Sequence, residues 1–364
     1  MPSKVNGTRY HRNSVTSSGR YGSRILSIDE EIRDVLAQAE PALQPFYGMM
    51  LYHLGLDMDR PGGGKRMRPL LCVLVYEALA GDAQGMLPAA AALELLHNFT
   101  LIHDDIEDQD PTRHHRPTVW SVWGVPQAIN TGDGMYATSR LAVQRLRDRS
   151  FPAERILDFA CLIDQACVRV CEGQFLDISF ENRTDITVER YRAMAAKKTG
   201  ALIAACAEGA AVLATEDPQV REALARFGDD FGQAFQAYDD LLGIWATTER
   251  TGKLEMNDLV KRKKTLPVVM AFEKASPRLR TELAVLFEPP APLAAVSVER
   301  IREILDELGT REQLENEIAS HRTRALHALR SIGALSGASE PLALLEQLVA
   351  SATGAEEPVG SGSR

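Results

Sequence analysis

The sequence predicts an all-α chain folded as a single large helical bundle with a central cavity, and three observations predict it. Apolar residues recur at helical spacing almost from end to end, whereas period-two alternation bounded by turns is hard to find. The strongest breakers fall between the periodic segments: Pro61-Gly62-Gly63-Gly64, Asp110-Pro111, Ser150-Phe151-Pro152 and Pro289-Pro290. No composition shift marks a boundary inside residues 25–350, so the helices read as one domain over residues 25–351. Many helices with short connections suggest a bundle whose ligand site is built from facing side chains.

Taken in order, residues 1–24 carry Lys4, Arg9, Arg12, Arg20 and Arg24, no acid, and many Ser, Gly and Asn, with no apolar segment of the secretory type. They are expected to be a disordered basic tail, either inert or a docking peptide for a partner or a compartment shell. Helices are expected near 28–38 and 41–57, before the Pro-Gly breaker, and near 67–81 after the basic turn Gly63-Gly64-Lys65-Arg66-Met67-Arg68-Pro69. The next, near 86–107, runs through the apolar stretch Leu93 to Ile102 into Asp104-Asp105-Ile106-Glu107-Asp108; Arg113 and Arg116 follow in one short loop. Helices near 124–148 and 152–180 flank the break at Pro152, and one near 187–213 carries Lys198-Thr199-Gly200 at its middle. The helix near 217–246 ends on Asp239-Asp240-Leu241-Leu242-Gly243. Beyond it come Thr251-Gly252-Lys253 and the basic run Lys261-Arg262-Lys263-Lys264 before Thr265-Leu266-Pro267. Helices near 264–274, 278–287, 297–308, 311–332 and 339–351 complete the domain, and residues 352–364 are expected to be a loose C-terminal tail.

The balance of 41 basic against 50 acidic residues, net −9, argues against a general nucleic-acid partner, so an anionic substrate must be held locally by metal and clustered Lys or Arg. Five cysteines, Cys72, Cys161, Cys167, Cys171 and Cys206, lie mostly in apolar helical stretches, as reduced core thiols do, in keeping with a cytoplasmic chain. No stretch of about 18 uncharged apolar residues is found, and no membrane span is expected.

The two acidic clusters carry the chemistry. Asp104 and Asp108 share one helix face, where Cβ atoms lie roughly 5–6 Å apart. Two unit charges at ~6 Å repel by about 3 kcal/mol at an effective dielectric of ~20. A cation is expected there, and an all-oxygen ligand set favours Mg²⁺ or Ca²⁺ over zinc. A solvated acidic helix end is the alternative for one such run, against which the apolar approach through Leu93 to Ile102 weighs.

From Gly63 to Pro267 the motifs stand in the order of a known family. Gly-Gly-Lys-x-x-Arg-Pro occupies Gly63 to Pro69, Asp-Asp-x-x-Asp occupies Asp104 to Asp108, and Gly-Gln-x-x-Asp occupies Gly173, Gln174 and Asp177. Lys198-Thr199, Phe235-Gln236, Asp239-Asp240, Lys253 and Lys263 follow. The chain resembles the all-trans isoprenyl (polyprenyl) diphosphate synthases, most of all the short-chain geranylgeranyl and farnesyl types. That resemblance implies an isoprenoid-synthase bundle, a homodimer, and a prenyltransferase condensing isopentenyl diphosphate with an allylic diphosphate. Lys65, Arg68 and His97 would hold the isopentenyl diphosphate; Arg113, Lys198 and Lys253 would hold the allylic one. Asp104, Asp108 and Asp239, with Asp105 and Asp240 beside them, would ligate three Mg²⁺ ions with the bound diphosphate, and Lys263 would face the leaving group. Thr199 and Gln236, with the carbonyl of Lys198, would present oxygen dipoles to the allyl cation.

The chain departs from the family pattern at three places. His114 stands where many relatives carry an arginine, placing a titratable group beside the isopentenyl site; Gly243 replaces a third aspartate; and 246–250 replaces a glycine-containing loop. Phe99 and Thr100, five and four residues before Asp104, are expected to set product length, giving a C20 product with C15 as the alternative. A class I terpene cyclase, a noncatalytic regulatory homologue and a di-iron bundle are the competing readings; Lys65, Arg68 and His97 argue against the first, intact acidic boxes against the second, and the lack of a placed Glu-x-x-His pair against the third.

Overall fold

A computed structural model describes residues 19–37, 40–57, 64–181, 183–246, 257–288, 293–332, 337 and 339–355. Of the expected tails at 1–24 and 352–364, residues 1–18 and 356–364 lie outside the described residues, as do Gly62, Gly63, Lys253 and the segment 247–250. The remainder is almost wholly helical. In chain order the helices are α1 (Gly22–Leu36), α2 (Gln44–Leu54), α3 (Met67–Ala80), α4 (Leu87–Glu107), α5 (Val119–Trp123), α6 (Val125–Gln144), α7 (Ala153–Phe180), α8 (Val188–Ala195) and α9 (Ala201–Ala214). They continue as α10 (Pro218–Trp245), α11 (Asn257–Val260), α12 (Leu266–Lys274), α13 (Pro277–Leu286), α14 (Ala295–Glu307), α15 (Thr310–Arg330) and α16 (Ser339–Ala352).

The centre is α4, whose Leu87 to Leu96 are all buried because helices pack around it, with α6, α1 and α3 as neighbours. It is long and apolar enough to cross a membrane, yet 78% of that window is buried inside the protein, the signature of a core helix. α10 packs against α9 and α15, and α9 against α3 and α7, so the two acidic motifs arrive on helices joined through α9. Phe159, Phe227, Phe231, Met50 and Leu93 fill the main core. A second cluster gathers Ile244, Leu259, Phe272, Phe287 and Ile301 beside the end of α10.

Three local features differ from the sequence expectation. The first helix starts at Gly22, so the tail boundary expected at residue 24 falls inside it: Arg24 pairs with Glu77 at 2.7 Å and Glu340 at 3.0 Å, tying α1 to α3 and α16. A two-residue antiparallel pair, Thr112–Arg113 with Arg116–Pro117, closes through His114 and His115, both left-handed at φ 50° and 62°. Those angles are those of a tight primed hairpin turn, but without the Asn-Gly pair that announces one. The helix expected over 187–213 is interrupted by a π turn at Ala196–Gly200, the five residues that carry Lys198 and Thr199. Wide turns of this kind recur at functional sites because they free backbone groups and re-aim side chains.

Candidate functional site

At the C-terminal end of α4, three cations from three separate segments converge on the first acidic motif. Arg113, returned by the hairpin, donates to Asp104 Oδ2 at 3.2 Å and to Asp105 Oδ1 at 2.7 Å. Lys198 donates to Asp177 Oδ2 at 2.5 Å and stands 3.6 Å from Asp104 Oδ1. Lys263 lies 3.4 Å from Asp108 Oδ2, Lys261 pairs with Asp110, and Gln174 donates to Asp104 at 3.3 Å and Glu107 at 2.6 Å. Burial pushes the Asp104 carboxyl up, but Lys198, Arg113 and Lys263 outweigh it and hold the group below its ordinary range. Burial opposes the Lys263 ammonium, while Asp108, Asp258, Asp104 and Asp177 raise it, so it stays charged.

The five carboxylates expected to bind metal divide. Asp104 and Asp108 are partly open, with side chains 21% and 19% exposed, and Asp239 is exposed. Asp105 instead turns inward: it is 1% exposed, it anchors Arg113, and burial lifts its pKa to about 6. Asp240 is likewise buried, accepting from Tyr191 Oη at 2.6 Å, Leu266 N at 2.9 Å and Gln236 Nε2 at 2.9 Å. Burial raises it to about 7. In this structure both are turned away from the open carboxylates: side chains and a backbone N–H occupy the Asp240 oxygens, and Asp105 keeps one buried oxygen, Oδ2, without a partner. The remaining all-oxygen donor set, with no thiol or imidazole among it, fits Mg²⁺, which takes few carboxylates and keeps water and phosphate ligands. Among the described residues no three His, Cys, Asp or Glu side chains form a ready-made metal cage.

Sequence reasoning missed the partner of the absent third aspartate. A Cβ on Gly243 would lie 1.9 Å from Asp258 Oδ2, so the Asp258 carboxylate, brought by α11, fills the space where a side chain at 243 would begin. The π turn is equally tight: a Cβ on Gly173 would meet Lys198 N at 2.2 Å, so only glycine lets α7 pass there. Gln236 commits its NH₂ to Asp240, so its carbonyl must face Thr199, and the Thr199 hydroxyl donates to it at 2.5 Å. With its proton so used, Thr199 has only lone pairs to present elsewhere, and the Gln236 oxygen, accepting one hydrogen bond, keeps a second lone pair.

A second cationic nest forms between α3 and α4. Arg68 Nη1 lies 3.0 Å from His97 Nε2, so the imidazole accepts and is neutral; burial first, then Arg68 and Arg113, hold its pKa well below the ordinary value. Arg68 Nε is buried with no protein partner, and its guanidinium stands 6.0 Å from the Phe235 ring. The His114 ring reaches this nest, since a Cβ on Gly64 would lie 3.8 Å from its Nε2. Lys65 is exposed at the rim, and Lys253 lies outside the described residues.

Below Asp104 opens a cavity of about 950 Å³ lined by Phe99, Tyr136, Cys167, Cys171, Phe175 and Leu176, with charged groups at its edge. Phe99 meets Tyr136 edge-on at 5.2 Å between centroids. Thr100 is not in this lining: its hydroxyl donates back to His97 O at 2.7 Å within its own helix. Tyr136, not anticipated from sequence, joins the wall because α6 packs closely on α4; a Cβ on Gly132 would collide with the His103 ring at 2.3 Å.

Comparison with known proteins places this arrangement among relatives. The polyprenyl synthetase family model matches residues 58–307. A geranylgeranyl diphosphate synthase of Mycobacterium tuberculosis is 42% identical over 74% of this chain and 77% of its own length. A (2E,6E)-farnesyl diphosphate synthase of Mycobacterium bovis is 36% identical over 84% of this chain and 85% of its own. The crystal structure of a geranylgeranyl pyrophosphate synthetase from Pyrococcus horikoshii superposes with a TM-score of 0.83 at 30% identity, covering 93% of this chain and 98% of that one.

Proposed function

The chain belongs to the polyprenyl synthetase family, and from that premise we propose that it is a short-chain prenyltransferase joining isopentenyl diphosphate to an allylic diphosphate with release of diphosphate. The observation that carries this reading is the convergence of Arg113, Lys198 and Lys263 on Asp104 and Asp108, at the end of the helix whose Phe99 walls an apolar cavity. A charged mouth above an apolar pocket suits a substrate with a diphosphate head and a hydrocarbon tail.

Asp104, Asp108 and Asp239 are the Mg²⁺ ligands in this reading, with Asp258 supplying the carboxylate that Gly243 lacks. When bound, Mg²⁺ neutralises charge developing on the leaving diphosphate. Arg113, Lys198 and Lys263 take diphosphate oxygens in exchange for their present acid partners, and Lys253 joins them. Thr199, oriented through Gln236 and Asp240, turns lone pairs toward the allyl cation left behind, as does the Lys198 carbonyl of the π turn. Lys65, Arg68, His97 and His114 hold isopentenyl diphosphate, whose double bond attacks the cationic carbon; the proton lost in that step goes to the released diphosphate. The buried Arg68 Nε lacking a protein acceptor supports a second anion at this nest, which a terpene cyclase has no use for.

Phe99 and Tyr136 form the wall that ends the tail pocket, favouring a C20 product over C15. The apolar side chains exposed on α6 and α7, among them Leu141, Leu157, Val168 and Phe175, support a second copy of the chain covering the open side of the cavity. Sedimentation of the purified protein as a dimer checks that point. The catalytic reading is tested by timing diphosphate release from the allylic substrate with Mg²⁺. Release should depend on isopentenyl diphosphate; release equally fast without it would mean ionisation for cyclisation instead.

A further inference from the structure

Between α11 and α12 the chain runs as a short strap whose consecutive side chains face opposite ways. Lys261 pairs with Asp110, and Lys263 lies 3.4 Å from Asp108, both at the acidic end of α4. Arg262 and Lys264 turn back to a single residue, Phe287, just past the end of α13. Arg262 Nη1 donates to the Phe287 carbonyl at 3.1 Å, and the Lys264 ammonium stands 4.1 Å from the centre of the Phe287 ring. The alternation starts at Arg262, whose φ of 56° is left-handed, and Lys263 N closes the turn on Asp258 O at 2.8 Å. Lys264 is 8% exposed and Phe287 6%. A buried ammonium is costly unless something favourable faces it, and an aromatic face supplies such a partner. Burial first, then Arg262, push Lys264 down to about 8, with no carboxylate among the causes to oppose the shift.

We propose that Phe287 is a positioning residue for the diphosphate site: its ring holds Lys264 and its carbonyl holds Arg262, which fixes the strap with Lys261 and Lys263 facing the acidic motif. It touches neither substrate nor metal, and acts through Lys263, whose task of receiving the leaving diphosphate rests on the function proposed above. The cluster that contains Phe287, with Ile244, Leu259, Phe272 and Ile301, thereby joins the end of α10 to the strap in one packed unit. Small displacements at such a point matter, since about 1 Å of misplacement can cost on the order of a hundredfold in rate.

The test compares wild type with Phe287→Leu, Lys264→Met, the double variant and Phe287→Tyr. Phe287→Leu removes the ring face but keeps the carbonyl that Arg262 uses. Calorimetry measures inorganic diphosphate binding at saturating Mg²⁺, and steady-state assays give KM for each substrate. Each single variant should weaken diphosphate binding and raise the allylic KM by about tenfold, the order expected for losing one cation–π contact that positions a charge. The isopentenyl KM should not move, Phe287→Tyr should restore wild-type values, and the double variant should be no worse than the worse single, since both break one contact. Unchanged diphosphate binding in Phe287→Leu, or effects of the two single changes that simply add, would overturn the proposal. Should Phe287→Leu not fold, the same comparison rests on Lys264→Met. A wild type that binds diphosphate but makes no elongated product would sink the elongation reading, and the binding comparison would still decide the strap.

Discussion

Asp104 meets three donors at once, Arg113, Gln174 and Lys198, and each has a second acceptor: Asp105, Glu107 and Asp177 respectively. Removing Asp104 therefore strands no buried cation, so Asp104→Ala should fold normally while turnover falls by roughly two to three orders of magnitude. Asp239→Ala should behave alike. Thermal melts beside steady-state rates check both, and a near-normal rate in either variant would refute a site shared between the two motifs. The tail wall gives a second expectation at this scale. Because Phe99 and Tyr136 lean edge-on against each other, Phe99→Ala leaves Tyr136 in the pocket. Phe99→Ala should shift product only partly beyond C20, and Phe99→Ala with Tyr136→Ala should shift it further. Chromatography of dephosphorylated products would show one unchanged length if these rings are not the floor. Phe99 could be read from its place five residues before Asp104; Tyr136 could not, because its position depends on how closely α6 approaches α4.

At the scale of elements, α11 and α10 meet where Gly243 yields its side-chain space to Asp258. Gly243→Asp should therefore be damaging, since the new Cβ overlaps the Asp258 carboxylate. Combining it with Asp258→Gly should recover Mg²⁺-dependent activity by returning the acid to α10. A double variant no better than Gly243→Asp alone would show that the two positions are not interchangeable. Helix positions were readable along most of the chain, because apolar spacing and Pro or Gly breaks report burial directly. The π turn was not: apolar spacing does not distinguish Ala196 to Gly200 from a continuing α-helix, and the turn sits where backbone packs closely against Gly173 on α7 and Gly232 on α10. The inward turn of Asp105 and Asp240 was equally hidden, since motif spacing names the residues but not which carboxylate finds Arg113 or Tyr191.

For the whole molecule, the cationic nest sets a pH dependence of stability. Burial, with Arg113, His114 and Arg66 adding to it, pushes His53 down to about 3, and burial with Arg68 holds His97 well below its ordinary value. Both stay neutral in the fold where the unfolded chain protonates them, below about 6.5. At these two sites the unfolded state then binds more protons, so the stability they contribute falls as pH drops from about 6.5 toward 3. Asp105 and Asp240, raised to about 6 and about 7, act in the opposite sense over this range, so the test is differential: between pH 7.5 and 5.5 the urea midpoint of wild type should drop relative to that of His53→Gln, and parallel slopes would remove His53 from the account. The central claim is that one cavity ionises an allylic diphosphate and extends it. Its most direct measurement is incubation of the purified protein with Mg²⁺, farnesyl diphosphate and labelled isopentenyl diphosphate, followed by chromatography of the dephosphorylated products. The account expects labelled geranylgeraniol that disappears when Mg²⁺ is chelated; unlabelled cyclic hydrocarbon, with the isopentenyl diphosphate left intact, would contradict it.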